Sequence, residues 1–135
     1  MEKTGVTGVG QKRTTKAVPG SPVTEIMPQL APRSGDLVVV KNRYSPFMNT
    51  DLDFIVRTLG LKTFFIVGVN TNNCVLCTAF EAFNRDIRVI VVEDCCASMN
   101  GPEFHETAIN QIKTSLGWVV SSDSVEGLLS DQIQL

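Results

Sequence analysis

Short β-branched apolar runs alternate with stretches of helical spacing along most of this chain. Residues 36–41 (DLVVVK), 63–69 (TFFIVGV) and 88–92 (RVIVV) are continuous apolar runs, the pattern of strands buried on both faces. Residues 118–121 (WVVS) predict a shorter fourth strand. Between these runs, residues 51–59 place apolar side chains at 52, 54, 55, 56 and 59, with Thr50 or Asp51 as cap and Gly60 as stop. Residues 74–84 (CVLCTAFEAFN) predict a helix. So do residues 102–116, through Phe104, Ala108, Ile109 and Ile112, and 124–129 add a last short one. Strands alternating with helices imply parallel βαβ units. The expected fold is α/β, three-layered, with a mostly parallel sheet and helices on both faces. Residues 1–22 show no period and read as a loose tail; residues 23–135 hold the domain. Active sites in such sheets lie at the carboxyl ends of the strands. Attention therefore falls on the segments after Lys41, Val69 and Val92.

Composition narrows the class. A chain of 135 residues, 43% hydrophobic and 19% charged, is one globular domain rather than a disordered segment. The net charge of −2 gives no electrostatic basis for binding nucleic acid or an anionic membrane. Lys3, Lys12, Arg13 and Lys16 cluster only in the tail, as solvated charge. No apolar run approaches the roughly 20 residues of a membrane-spanning helix. The polar start lacks the apolar core of a secretory signal. Four cysteines without such a signal predict free thiols in a reducing, cytoplasmic setting.

The segment 68–75 (GVNTNNCV) carries the most chemistry. A buried strand ends, a polar turn follows, and a helix opens at Cys74. A thiol there feels the positive end of the helix dipole and meets free backbone N–H groups, which favour the nucleophilic thiolate. The same N–H groups suit an oxyanion. The alternative is a small apolar residue in a buried junction. Lys41, at the end of its run, faces the active-site edge, where it would hold a thiolate by charge; the alternative is a lysine reaching solvent.

The residues VVVKNRYSPF from 38 to 47, Thr50 and Leu52, GVNTNNCVLCTAFEAFNRD from 68, and RVIVVEDCCAS from 88 resemble the isochorismatase-like cysteine hydrolases. The resemblance runs from about residue 19 to residue 121 and is nearest the amidohydrolase branch. It implies a Rossmann-like sheet and an Asp, Lys and Cys triad, with Cys74 as nucleophile and Lys41 as the lysine. It also implies a cis peptide between Val69 and Asn70, and an oxyanion hole from the amides of Asn70 and Cys74. Tyr44, Phe47 and Asn73 fall where the substrate pocket is expected. The implied reaction is cleavage of an amide or C–N bond of a small amide or ureide through a thioester on Cys74, without cofactor.

One departure stands out. The resemblance implies a first strand ending in the triad Asp, and nothing in residues 1–35 reads so. Asp36 starts the lysine's run, and Glu2 and Glu25 sit in no strand pattern. The expectation is a domain truncated at its N-terminus, with its first strand missing. Open strand edges invite pairing with another copy, so a homo-oligomer is expected. Without the Asp, a non-catalytic remnant or interaction subunit is the second reading. The third is a thioredoxin-like redox pair at Cys74 and Cys77. Cys95 and Cys96 read as a small-residue loop, and with Cys74 and Cys77 they lack zinc-site spacing. With His105 the sole histidine, the family's zinc site is not expected. His105 reads as a helix-surface or capping residue, and Trp118 as core.

Overall fold

Three parallel strands, β1 (Thr63–Val69), β2 (Arg88–Ala97) and β3 (Trp118–Val120), form a sheet in the order β1-β2-β3. This is a computed structural model, and the structure describes Gly20 and residues 22–132. The chain divides into two units, Met1–Val38 and Val39–Leu135. Most of the tail expected over residues 1–22 lies outside the described residues. In the first unit, two 3-10 turns, Pro22–Thr24 and Pro28–Leu30, begin at the prolines that preset their backbone.

The second unit holds the sheet and four helices: α1 (Leu52–Leu59), α2 (Leu76–Phe83), α3 (Pro102–Ser115) and α4 (Val125–Gln132). Local chemistry sets the ends of α1. The Thr50 hydroxyl accepts the Leu52 N–H at 3.2 Å, capping the first turn, and Gly60 closes the helix at φ 64°, in the left-handed region. The core joins Val56 of α1, Ile66 of β1, Ala79 and Ala82 of α2, Val89 and Val91 of β2, and Ile109 and Ile112 of α3. Val89, Val91 and Ile112 are fully buried. Each contributes roughly 1.5–3 kcal/mol by leaving water.

Three expectations are corrected. Residues 36–41 form no strand, and Leu37, Val38 and Val40 are 60–74% exposed. A β-branched run becomes a strand only where a ladder takes up its N–H and C=O groups, and none of the described strands pairs with it. β2 runs on to Ala97, so Cys95 and Cys96 lie in a strand rather than a loop. After an irregularity in register between Ile66 and Gly68, Gly68 pairs with Cys96 and Val69 with Ala97. Trp118 is 59% exposed rather than core. It opens a three-residue edge strand and lines an open cleft at the amino ends of the strands, beside Phe83 and Lys113. Among the described residues, no helix is long and apolar enough to cross a membrane.

Candidate active site

β1 ends at Val69, and the peptide between Val69 and Asn70 is cis. Asn70 is extended (φ −92°, ψ 139°) and caps a single π-helical turn, Thr71–Val75, that runs into α2. The Asn70 carbonyl accepts the N–H groups of Asn73 (3.1 Å) and Val75 (3.2 Å). Helical backbone thus begins at Thr71, three residues earlier than expected, and Cys74 lies inside the π turn. A π turn is wider than an α turn and is frequent at functional sites.

Lys41 lies 33 residues earlier in the chain, and its Nζ is 3.4 Å from Cys74 Sγ. It arrives from irregular backbone rather than from a strand end. Its ammonium also donates to the Arg43 carbonyl at 2.8 Å, which fixes the direction of the side chain. The loop behind it is pinned by Phe47. That ring is buried, stacks on Phe64 with centroids 6.2 Å apart, and carries the Arg85 guanidinium 4.1 Å above its centroid. Arg85 in turn bonds Asp53 of α1 at 2.9 Å and pairs with Glu81 of α2. Phe47 is therefore an anchor of the loop. Tyr44 and Asn73 do share a groove, of about 290 Å³, with Asn72, Leu76 and Phe80.

The turn is braced from behind. Thr71 is fully buried, and its hydroxyl lies 2.9 Å from His105 Nδ1, on the first turns of α3. Ser98 donates to Asn72 Oδ1 at 2.7 Å, Asn72 Nδ2 to Asn100 Oδ1 at 3.3 Å, and the Met99 N–H to Asn70 Oδ1 at 2.9 Å. The segment after β2 thus grips Asn70 and Asn72, and His105 of α3 holds Thr71 between them. His105 is tied to the turn that carries Cys74 rather than free on the helix surface. The sequence carried one signal for this: adjacent parallel strands bring the segment after β2 beside the segment after β1.

The other cysteines sit in different surroundings. All four are free. Burial first, then the charges of Glu81 and Cys74, push the Cys77 thiol up, and Lys41 draws it part of the way back. Burial also pushes Cys96 up, and its Sγ contacts the Ile66 carbonyl at 3.9 Å. Side-chain and backbone hydrogen bonds from Ser122 hold the Asp94 carboxyl below its usual range. Among the described residues, no carboxylate is hydrogen-bonded or ion-paired to Lys41 or Cys74. No group of three His, Cys, Asp or Glu among those residues is arranged to hold a metal ion.

Residues 7–124 match the isochorismatase domain. The chain is similar to the ureidoacrylate amidohydrolase of Acinetobacter baylyi, 34% identical over 111 residues that make up 82% of this chain and 45% of that protein. Among solved structures, it is similar to an isochorismatase family protein from Desulfovibrio vulgaris, with 36% identity, a TM-score of 0.76, and coverage of 82% of this chain and 58% of that one. It is also similar to N-carbamoylsarcosine amidase from Thermoplasma acidophilum, with 33% identity, a TM-score of 0.69, and coverage of 77% and 58%. The chain spans less than half of the curated relative and under two thirds of each solved structure.

Proposed function

Because this chain belongs to the isochorismatase family, we propose that it hydrolyses an amide or other C–N bond of a small molecule through a thioester on Cys74. The observation that carries this reading is the Lys41 ammonium 3.4 Å from the Cys74 sulfur at the carboxyl end of β1. Lys41 favours the thiolate by charge. The sulfur attacks the substrate carbonyl carbon, and the amides of Asn70 and Cys74 face the oxyanion that forms. The C–N bond then breaks, and the departing nitrogen takes its proton from Lys41. Water hydrolyses the thioester and returns a proton to the lysine. Tyr44 and Asn73 line the groove that receives the substrate. A small amide or ureide is supported by the names of two relatives, a ureidoacrylate amidohydrolase and an N-carbamoylsarcosine amidase.

A second reading, a non-catalytic chain of the same fold, is favoured by the lack of any carboxylate on Lys41 or Cys74 among the described residues. Triad members act as a unit, so loss of the carboxylate would remove most of the rate. Ammonia release from ureidoacrylate and from N-carbamoylsarcosine separates the two. Hydrolysis that disappears in Cys74→Ala supports the enzyme. No turnover of either compound by the native chain, with Cys74 alkylated no faster than an ordinary thiol, supports the second reading.

A further inference from the structure

Cys77 has no part in the hydrolysis, yet it sits one helical turn beyond Cys74. Residues three apart on a helix share a face. Val75 and Leu76, between them, are both in the right-handed helical region (φ −64°, ψ −53° and φ −59°, ψ −43°), which puts the two Cα atoms about 5 Å apart. That is inside the roughly 4.4–6.8 Å span that a disulfide bridges. Both thiols are partly exposed, so a small oxidant reaches them. The strand, turn and helix around them also hold Lys41 against one sulfur only, at 3.4 Å from Cys74. The pair is therefore asymmetric: one sulfur touches an ammonium, the other is a partly buried thiol.

We infer that Cys74 and Cys77 form a reversible disulfide under hydroperoxide, a redox switch that turns the nucleophile off and shields it from irreversible oxidation. The inference rests on Cys74 being the nucleophile of the hydrolysis proposed above. The chemistry takes two steps. The Cys74 thiolate attacks one oxygen of the hydroperoxide; the O–O bond breaks, an S–O bond forms, and the alkoxide takes a proton and leaves as alcohol, or as water from hydrogen peroxide. Sulfur is oxidised by two electrons and the peroxide is reduced. The Cys77 thiolate then attacks the Cys74 sulfur; the S–S bond forms, the S–OH bond breaks, and the hydroxide leaves as water with the proton that Cys77 gave up.

The electrostatics favour that order. After burial and Glu81, the charge on Cys74 is what raises Cys77, while Lys41 lowers it. Once Cys74 becomes an uncharged sulfenic acid, the raising influence of its thiolate is gone and that of Lys41 remains. Oxidation of the first sulfur thus makes the second more nucleophilic.

The test uses the full chain, hydrogen peroxide as oxidant, thiol titration and a peptide mass map. The native chain is expected to lose two of its four titratable thiols. The map is expected to show a Cys74–Cys77 bridge, lighter by two hydrogens, and dithiothreitol to restore both thiols. In Cys77→Ser, Cys74 is expected to pass to sulfinic acid, which dithiothreitol does not reverse. Cys77→Ala serves as a second variant if the serine destabilises the helix. A native chain that carries sulfinic acid on Cys74 with no bridge, or bridges only through Cys95 or Cys96, overturns the inference. So does full dithiothreitol recovery of Cys74 in both Cys77 variants after the same exposure. Thiol mapping needs no turnover, so the two ideas fail separately. Absent ammonia release with the bridge still forming counts against the hydrolase, whereas intact release with no bridge counts against the switch.

Discussion

Replacing Lys41 by Met removes one positive charge and keeps most of the side chain's length. At the observed 3.4 Å, an ammonium and a thiolate attract by about 1.2 kcal/mol at water's dielectric constant, and by about 5 kcal/mol at an effective value of about 20. Both groups are partly exposed, so solvent screening puts the effect near the lower figure. A loss of about 1.2 kcal/mol is roughly an eightfold change in an equilibrium. Lys41→Met is therefore expected to slow alkylation of Cys74 by iodoacetamide about eightfold at neutral pH. Iodoacetamide is uncharged, so Lys41 does not steer the reagent itself. The assay is the pH profile of the alkylation rate, with Cys74 followed by peptide mass. Well above the ordinary thiol range of about 8.5, the two rates should converge. Equal rates at neutral pH would refute the charge argument. A deficit of the same size at every pH would refute it too, since that is the signature of altered access.

Three further outcomes follow from the packing and the hydrogen bonds. His105→Ala leaves the fully buried Thr71 hydroxyl without its partner, at a cost of about 1–3 kcal/mol in urea unfolding; His105→Asn, which offers an amide near the Nδ1 position, should recover part of it. Ile112→Ala empties a fully buried site between α3 and the sheet and should cost about 2–5 kcal/mol, read from the urea midpoint. Ser122 depresses the folded-state value of Asp94, so its stabilisation is complete above the unfolded carboxyl value of about 3.9 and is lost as the pH falls through the folded value; Asp94→Asn should flatten the acid limb of stability against pH.

How far the sequence could be read depended on the range of the interactions involved. The ends of α1 were legible because Thr50 and Gly60 act on their own helix. The runs at β1 and β2 were legible because the sheet buries them. Lys41 and Cys74 are 33 residues apart, and only their family resemblance linked them before the structure did. The failures are non-local. Whether residues 36–41 form a strand depends on a partner rather than on their own composition. Trp118, expected in the core, is exposed while Phe47 is buried, because aromatic burial follows from which neighbour arrives. Phe64 and Arg85 reach Phe47, whereas Trp118 opens a short edge strand. The bond from His105 to Thr71 spans 34 residues and exists because the segments after β1 and β2 lie side by side.

Competition among the four thiols of the native chain tests the central claim, that Cys74 beside Lys41 is the nucleophile. Limiting iodoacetamide at neutral pH, quantified by peptide mass, ranks them. If charge stabilisation governs reactivity, Cys74 is modified first, although Cys95 is the more exposed. Cys77 and Cys96, both raised by burial, should trail. If exposure alone governs, Cys95 reacts first and Cys74 reacts no faster than Cys77, and that ranking would contradict the account.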